Sequence, residues 1–291
     1  MDQLNNILIA TDFSPCANSA LKQAIRMAKL NDAQLHILHA IDSGITFELA
    51  ETLETSLTEI RDQLIHSARH EIEALLKPHD LEAKVEIQIG TQIEQVVTHA
   101  RRVNADLLVV GEHSEQSDNA PAGVLATRCL RKGGNKVLLV DKNTEGPFSK
   151  LLTCVDFSES SKTVVQQAQR IASQNGSKIR LLHVYDFPWN RIRSAKNLPK
   201  PTHEQQEQYV QKLKTRLENL AKDHLEASAE CQVVTHQKAG QGISNVAKEW
   251  QADLIVVGKR GHSSWTQMML GSTAESLVRE PNCSVLAVSP N

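Results

Sequence analysis

"ILIATDFSPCANSALKQAIRMAKLNDAQLHILHAID", residues 7–42, lies without a gap over "LLTCVDFSESSKTVVQQAQRIASQNGSKIRLLHVYD", residues 151–186, and about a third of the positions are identical. Asp12, Phe13, Ser14, Arg26 and His39 meet Asp156, Phe157, Ser158, Arg170 and His183. Further along, "NADLLVVGEH" (104–113) matches "QADLIVVGKR" (251–260), and "NKVLLVDK" and "CSVLAVSP" close the two halves. The period is far too long for a solenoid, so the chain reads as one domain written twice. The joint falls near "DKNTEGPFSK", where Gly146 and Pro147 interrupt two strand patterns. The expected domains are 1–143 and 148–291.

Each half carries short unbroken apolar runs such as "LLVV" and "LIVV". Runs without alternation suit strands of a parallel sheet covered on both faces. Between them, apolar residues recur three and four apart, as at Leu21, Ala24, Ile25 and Ala28, or Leu213, Leu217 and Leu220. Strands alternating with helices predict an α/β fold: two tandem doubly wound domains, each with helices on both faces of its sheet. Ligands then belong at the carboxyl ends of the strands. After the second strand of each half, residues 46–77 and 203–225 read as charged amphipathic helices. "FPWNRIRSAKNLPKP" (187–201) ahead of the latter reads as a loop able to close over a ligand.

Composition narrows the function. With 32 basic against 34 acidic residues the net charge is −2, which leaves no electrostatic footprint for nucleic acid or an anionic membrane. The start "MDQLNNILIATDFS" lacks the basic and apolar regions of a signal peptide, and no window approaches the roughly 20 apolar residues of a bilayer span. The five cysteines (Cys16, Cys129, Cys154, Cys231, Cys283) form no C-x-x-C pair, so reduced thiols and a cytoplasmic setting are expected.

The stretch "GKRGHSSWTQMMLGSTAES", 258–276, carries the chemistry. Gly258 follows the strand "LIVV", Gly261 follows after two intervening residues, and Gly271, Ser272 and Thr273 open a helix in which Glu275 and Arg279 pair at i, i+4. A helix start offers unpaired N–H groups and the positive end of the peptide dipoles, a natural seat for phosphate. Glycine lets the backbone approach the phosphate oxygens. Ser272 and Thr273 add hydroxyls, while Lys259, Arg260 and His262 bring positive or polar character. The same spacing also fits an ordinary capped helix after a surface loop.

Gly-x2-Gly-x9-Gly-Ser after an "ADLIVVG" strand, with "TDFS" and "VDFS" closing the first strands, resembles the universal stress protein family in its tandem two-domain, E-type form. The likeness covers essentially the whole chain. It implies a five-stranded sheet of order 3-2-1-4-5 in each half and an adenine nucleotide, ATP or ADP or AMP, possibly with Mg, in the second. Cys154, Val155 and Asp156 would then face the adenosine, with Cys154 where many members have proline. Val184 would receive the adenine through its backbone. Val257, Gly258, Gly261, His262, Gly271, Ser272 and Thr273 would surround the ribose and phosphates. Asp156 also reads as the cap of a helix beginning near Ser158. Pairing of the halves through "VLLV" (137–140) and "VLAV" (285–288) into an internal pseudo-dimer is implied as well, and a homodimer of the whole chain is compatible with it.

The first half departs from the motif. Ser114 stands for Gly261, the loop is one residue shorter, and Val124 and Leu125 replace Ser272 and Thr273. Glu112, Glu115 and Asp118 occupy the loop where the second half has Lys259 and Arg260. Two unit charges about 4 Å apart interact by ~4 kcal/mol at an effective dielectric of about 20. The expectation is that only the second half binds nucleotide, leaving the first as a packing partner, a site for a different, more apolar ligand, or a cation site built from Glu112, His113, Glu115 and Asp118.

Other features read as structural. His39 and His183 fit hydrogen-bonded strand-end histidines better than proton shuttles. "HARR" (99–102) fits the solvated end of a helix, and "GQGISN" (240–245) fits a strand-to-helix turn, lacking the third glycine of a dinucleotide fingerprint. The leading reading is a non-catalytic nucleotide sensor or regulator in a stress response with an unknown protein partner. Weak ATP hydrolysis or phosphotransfer is the second, since no base or metal carboxylates stand beside the motif. A scaffold is the third.

Overall fold

The computed structural model describes residues 3–112, 124–132, 136–190, 201–259 and 270–289. They fall into two compact units, Met1–Gly146 and Pro147–Asn291. Unit 1 runs β1 (Asn6–Thr11), α1 (Pro15–Asn31), β2 (Gln34–Ile41), α2 (Ser43–Thr52), α3 (Leu57–Leu76), β3 (Ala83–Ile89), α4 (Gln92–Arg102), β4 (Leu107–Gly111), α5 (Val124–Lys132) and β5 (Lys136–Val140). Unit 2 runs β6 (Lys150–Cys154), α6 (Ser160–Asn175), β7 (Lys178–Tyr185), α7 (His203–His224), β8 (Glu230–Thr235), α8 (Ala239–Trp250), β9 (Leu254–Gly258), α9 (Ser272–Arg279) and β10 (Ser284–Val288). The strand orders are β3-β2-β1-β4-β5 and β8-β7-β6-β9-β10, the expected 3-2-1-4-5 in both. The strand pairings within each unit are parallel.

Two-sided burial explains the unbroken runs. Ile7, Leu8 and Ile9 of β1, Leu107 to Val110 of β4 and Leu254 to Val257 of β9 are all buried, so consecutive side chains meet helices on opposite faces. The helices answer with the stripes expected: Leu21, Ala24, Ile25 and Ala28 of α1 are buried, as is Leu217 of α7. Among the described residues no helix is long and apolar enough to cross a membrane.

Both units fasten the first strand in one way. The Asp106 carboxylate accepts the amides of Asn5 (2.7 Å) and Asn6 (2.9 Å). Asp253 accepts the amides of Ser149 (2.7 Å) and Lys150 (3.0 Å), with the Ser149 hydroxyl at 2.8 Å. The aspartate shared by "NADLL" and "QADLI" is thus a clip between β4 and β1, and between β9 and β6.

Three local expectations are corrected. The single amphipathic stretch over 46–77 is two helices. Glu54 takes a positive φ of 49°, and Ser56 restarts the chain by accepting the Glu59 amide at 3.1 Å. "GQGISN" lies inside α8 rather than in a turn. A Cβ on Gly240 would sit 2.6 Å from the Ser276 hydroxyl of α9, so the glycine serves helix-to-helix packing. In "HARR", His99 is buried, and Arg102 donates to His99 Nδ1 (2.8 Å) while pairing with Glu86 (2.7 Å).

Replacing the second clip, Asp253→Ala, removes charge-assisted bonds at a partly exposed strand start and is expected to cost about 1–2 kcal/mol. A denaturant midpoint unchanged by this substitution would contradict the clip.

Candidate functional site

The ladder between β6 and β7 ends at the pair Cys154 and Leu182, after which the Val155 amide donates to the Leu182 carbonyl at 3.0 Å. The next residues form the corner. His183 Nδ1 lies 2.8 Å from the Val155 carbonyl, and because a carbonyl only accepts, that nitrogen carries the proton. Phe157 sits at φ 61°, a left-handed conformation rare for a bulky residue, with its ring 4.4 Å from the His183 ring. From α7, the Arg216 guanidinium lies 4.3 Å over Phe157 and donates to its carbonyl at 3.4 Å. The first unit repeats the turn. Phe13 has φ 65°, its ring is 4.5 Å from that of His39, and His39 Nδ1 is 2.8 Å from the Thr11 carbonyl. Burial pushes the His39 imidazole below its usual range. The repeated D-F-S and the histidine 27 residues beyond the aspartate were the sequence signal for this turn; its left-handed phenylalanine was not legible.

Asp156 does not cap a helix. Its Oδ1 accepts the Ser158 amide (3.0 Å) and the hydroxyls of Ser158 and Ser161, and α6 begins only at Ser160. Cys154 is buried, and burial raises its thiol well above the ordinary range, so it is no nucleophile at neutral pH. Val184 is better placed. Leu182 turns its carbonyl toward β6 and Tyr185 turns its own toward His236 beyond β8 (2.8 Å), so by strand alternation the amide and carbonyl of Val184 point to the β6 side, past the end of that ladder.

Across the corner, Val257 pairs with Cys154 on one side and Ala287 on the other. The Lys259 amide donates to Val288 (2.7 Å), and the Lys259 carbonyl accepts the Gly271 amide (2.8 Å). Gly271 therefore spends its N–H on the loop closure. What α9 offers is its first turn: Gly271 is the N-cap and supplies no capping bond, and the first helical bond is the Glu275 amide to the Gly271 carbonyl at 3.0 Å. The amides of Ser272, Thr273 and Ala274 precede that bond and, among the described residues, have no hydrogen-bond partner, as expected of the first donors of a helix. Glu275 is held by Arg279 at 2.7 Å, as the spacing predicts, which offsets its charge near the helix start. Lys259 is buried and bonded, not a free surface cation. Gly261, His262 and Arg260 lie outside the described residues.

At the matching place in unit 1, Gly111 keeps its glycine, although Ser114, Val124 and Leu125 stand where unit 2 has Gly261, Ser272 and Thr273. A Cβ there would meet the Ala17 amide and the Cys16 carbonyl carbon of α1 at 2.9 Å, so this glycine serves packing. Glu112 stands where unit 2 has Lys259, its amide likewise donating to the last strand, at Val140 (3.0 Å). Its carboxyl is buried against Asp141. Burial first, then the hydrogen bond and charge of Asp141, push it up to about 8 against a weaker pull from Lys142. The pair thus holds a proton at neutral pH, and Glu112 carries less charge than the sequence implies. His113, Ser114, Glu115 and Asp118 lie outside the described residues. Among the described residues no group of three His, Cys, Asp or Glu is arranged to hold a metal ion.

A duplicated doubly wound α/β domain, with a D-F-S corner and a glycine-ended strand at the carboxyl edge of each sheet, is the class these features define. The model of the universal stress protein family matches residues 3–141 and again 147–289, so the chain belongs to that family with the domain present twice. A universal stress protein of Mycolicibacterium smegmatis is 24% identical over 296 aligned residues, spanning 98% of this chain and 97% of that protein. The universal stress protein E homolog of Haemophilus influenzae is 23% identical, spanning 99% and 98%. A solved universal stress protein from Archaeoglobus fulgidus matches with a TM-score of 0.69 at 17% identity, covering 100% of both chains; the likeness is one of fold.

The Glu112 carboxyl gives a pH test. Its folded-state pKa is raised, so its contribution to stability is fully present below about pH 4.5 and is lost as pH rises through about 8. Glu112→Gln is expected to remove that loss, making the variant more stable than the parent above pH 8 and flatter between. Parallel pH profiles of denaturant midpoint for both chains would count against the buried pair.

Proposed function

We propose that the chain binds ATP, or the related ADP or AMP, at the carboxyl edge of the second sheet and acts as a nucleotide-dependent sensor or regulator in a stress response. The observation that carries this is the start of α9: three successive amides, Ser272 to Ala274, behind a glycine N-cap that has no side chain to satisfy them. Ser272 and Thr273 place hydroxyls on the same turn, and the helix dipole favours an anion there. Val184, with backbone groups turned past the end of β6, suits the edge of an adenine, and Val155 lies beside it. Gly258, Val257 and Gly271 shape the floor, and Gly261 and His262 complete the proposed set.

Any Mg would arrive on the phosphates of the nucleotide, because Asp156 is engaged by serines and Glu275 by Arg279. The same engagement of Asp156 leaves it ill suited as a base for water, so binding rather than turnover is the reading favoured. The domain limits 1–143 and 148–291, the pairing of the halves into a pseudo-dimer and a cytoplasmic setting belong to the same proposal.

Gly271 has φ −65° and ψ 141°, a conformation valine also adopts. Gly271→Val should therefore fold and crowd the phosphate seat. Calorimetry on the full chain is expected to give one adenine nucleotide per chain, weakened about tenfold or more by the substitution, the loss of about 1.4 kcal/mol. Two nucleotides per chain, or none, would contradict the proposal.

A further inference from the structure

The chain has only ten aromatic residues of the Phe, Tyr and Trp types, and four of them, including both tyrosines, gather beyond Val184. Phe187 is the centre. Trp189 stacks on it at 4.5 Å and 19°, Tyr185 meets it edge-on at 5.2 Å and 87°, and Tyr209 of α7 closes from 5.9 Å. None of the four is buried in the core; all are partly open to solvent. A shallow groove of about 640 Å³ runs between Phe187 and the first turns of α7, and its wall carries Gln206, Gln208 and Gln211.

A half-exposed ring cluster is often a small satellite core, yet its distribution between the repeats points elsewhere. The run aligned with Tyr185, Phe187 and Trp189 in unit 1 is Ile41, Ser43 and Ile45, with no aromatic among them, and there the chain enters α2 directly. Among the described residues the cluster belongs to the unit whose α9 starts on a glycine N-cap with no side-chain capping bond. It begins one residue past Val184, at the end of β7.

We infer that Phe187, braced by Trp189, Tyr185 and Tyr209, is a stacking platform for the planar heteroaromatic base of the nucleotide, with glutamine amides of α7 along the base edge. This rests on the proposed nucleotide site. Rings accept any nucleobase by its π-face, and side-chain amides both donate and accept, as the edge of adenine requires.

The test uses the full chain, with ADP and inorganic tripolyphosphate as separate probes in calorimetry. Phe187→Leu is expected to weaken ADP about tenfold while leaving tripolyphosphate within about twofold, and Phe187→Trp is expected to restore ADP binding. If the parent binds ADP and Phe187→Leu binds it equally, the platform falls and the nucleotide site stands. If both probes weaken alike in Phe187→Leu, the residue supports the fold rather than the base, and the platform again falls. If the parent binds neither probe, the nucleotide reading falls and takes the platform with it.

Discussion

The carbonyl at the end of each first strand, Thr11 in β1 and Val155 just past β6, must find a proton, because the neighbour strand runs on after it stops. Both units meet this need with an imidazole from the second strand: His39 donates to Thr11 and His183 to Val155, each at 2.8 Å. The bond fixes where the chain turns. The following aspartate then accepts the amide of the serine two residues on, and the phenylalanine between them is forced to positive φ with its ring against the histidine. In unit 2 this turn carries β6 away from β7 after Cys154, which is what leaves Val184 facing an open edge. A left-handed phenylalanine costs of order 1–3 kcal/mol, and its presence in both copies marks the corner as a place where the fold tolerates strain.

What separates the two units at this corner is charge, placed on the same scaffold. One position after the strand-end glycine, unit 1 has Glu112 and unit 2 has Lys259, both buried and both tied by their amides to the last strand. Glu112 is tolerated there by keeping a proton against Asp141. An anion placed beside that pair would favour the proton further without gaining an opposite charge, whereas the amides at the start of α9 bias their corner positively. The inversion first read as three repelling carboxylates is thus, at Glu112, a neutral carboxyl for which no cation has been substituted.

Most of the fold was legible because a parallel sheet buried on both faces writes itself as unbroken apolar runs, and because the chain states the pattern twice. Spacing singled out Gly258, Gly271, Ser272 and Thr273, and the structure has β9 end at the first of them and α9 start at the others. The use made of each was less legible. That the Gly271 amide closes onto Lys259, that Gly111 is glycine for the sake of α1, and that Asp156 serves serines instead of a helix end all depend on contacts no local pattern records. The Glu112 to Asp141 contact joins residues 29 apart, and the burial of His99 follows from packing rather than from its basic neighbours. The left-handed Phe157 was not legible for another reason: propensity argues against positive φ for an aromatic residue, and tertiary contacts override it.

Backbone amide NMR of the full chain during addition of ATP addresses the central claim most directly. The account requires the largest shifts at the amides of Ser272, Thr273 and Ala274, with Val184 following and the amides of Gly111 and Glu112 unmoved. Shifts centred on Gly111 and Glu112, or α9 amides that stay still while ATP binds, would contradict it.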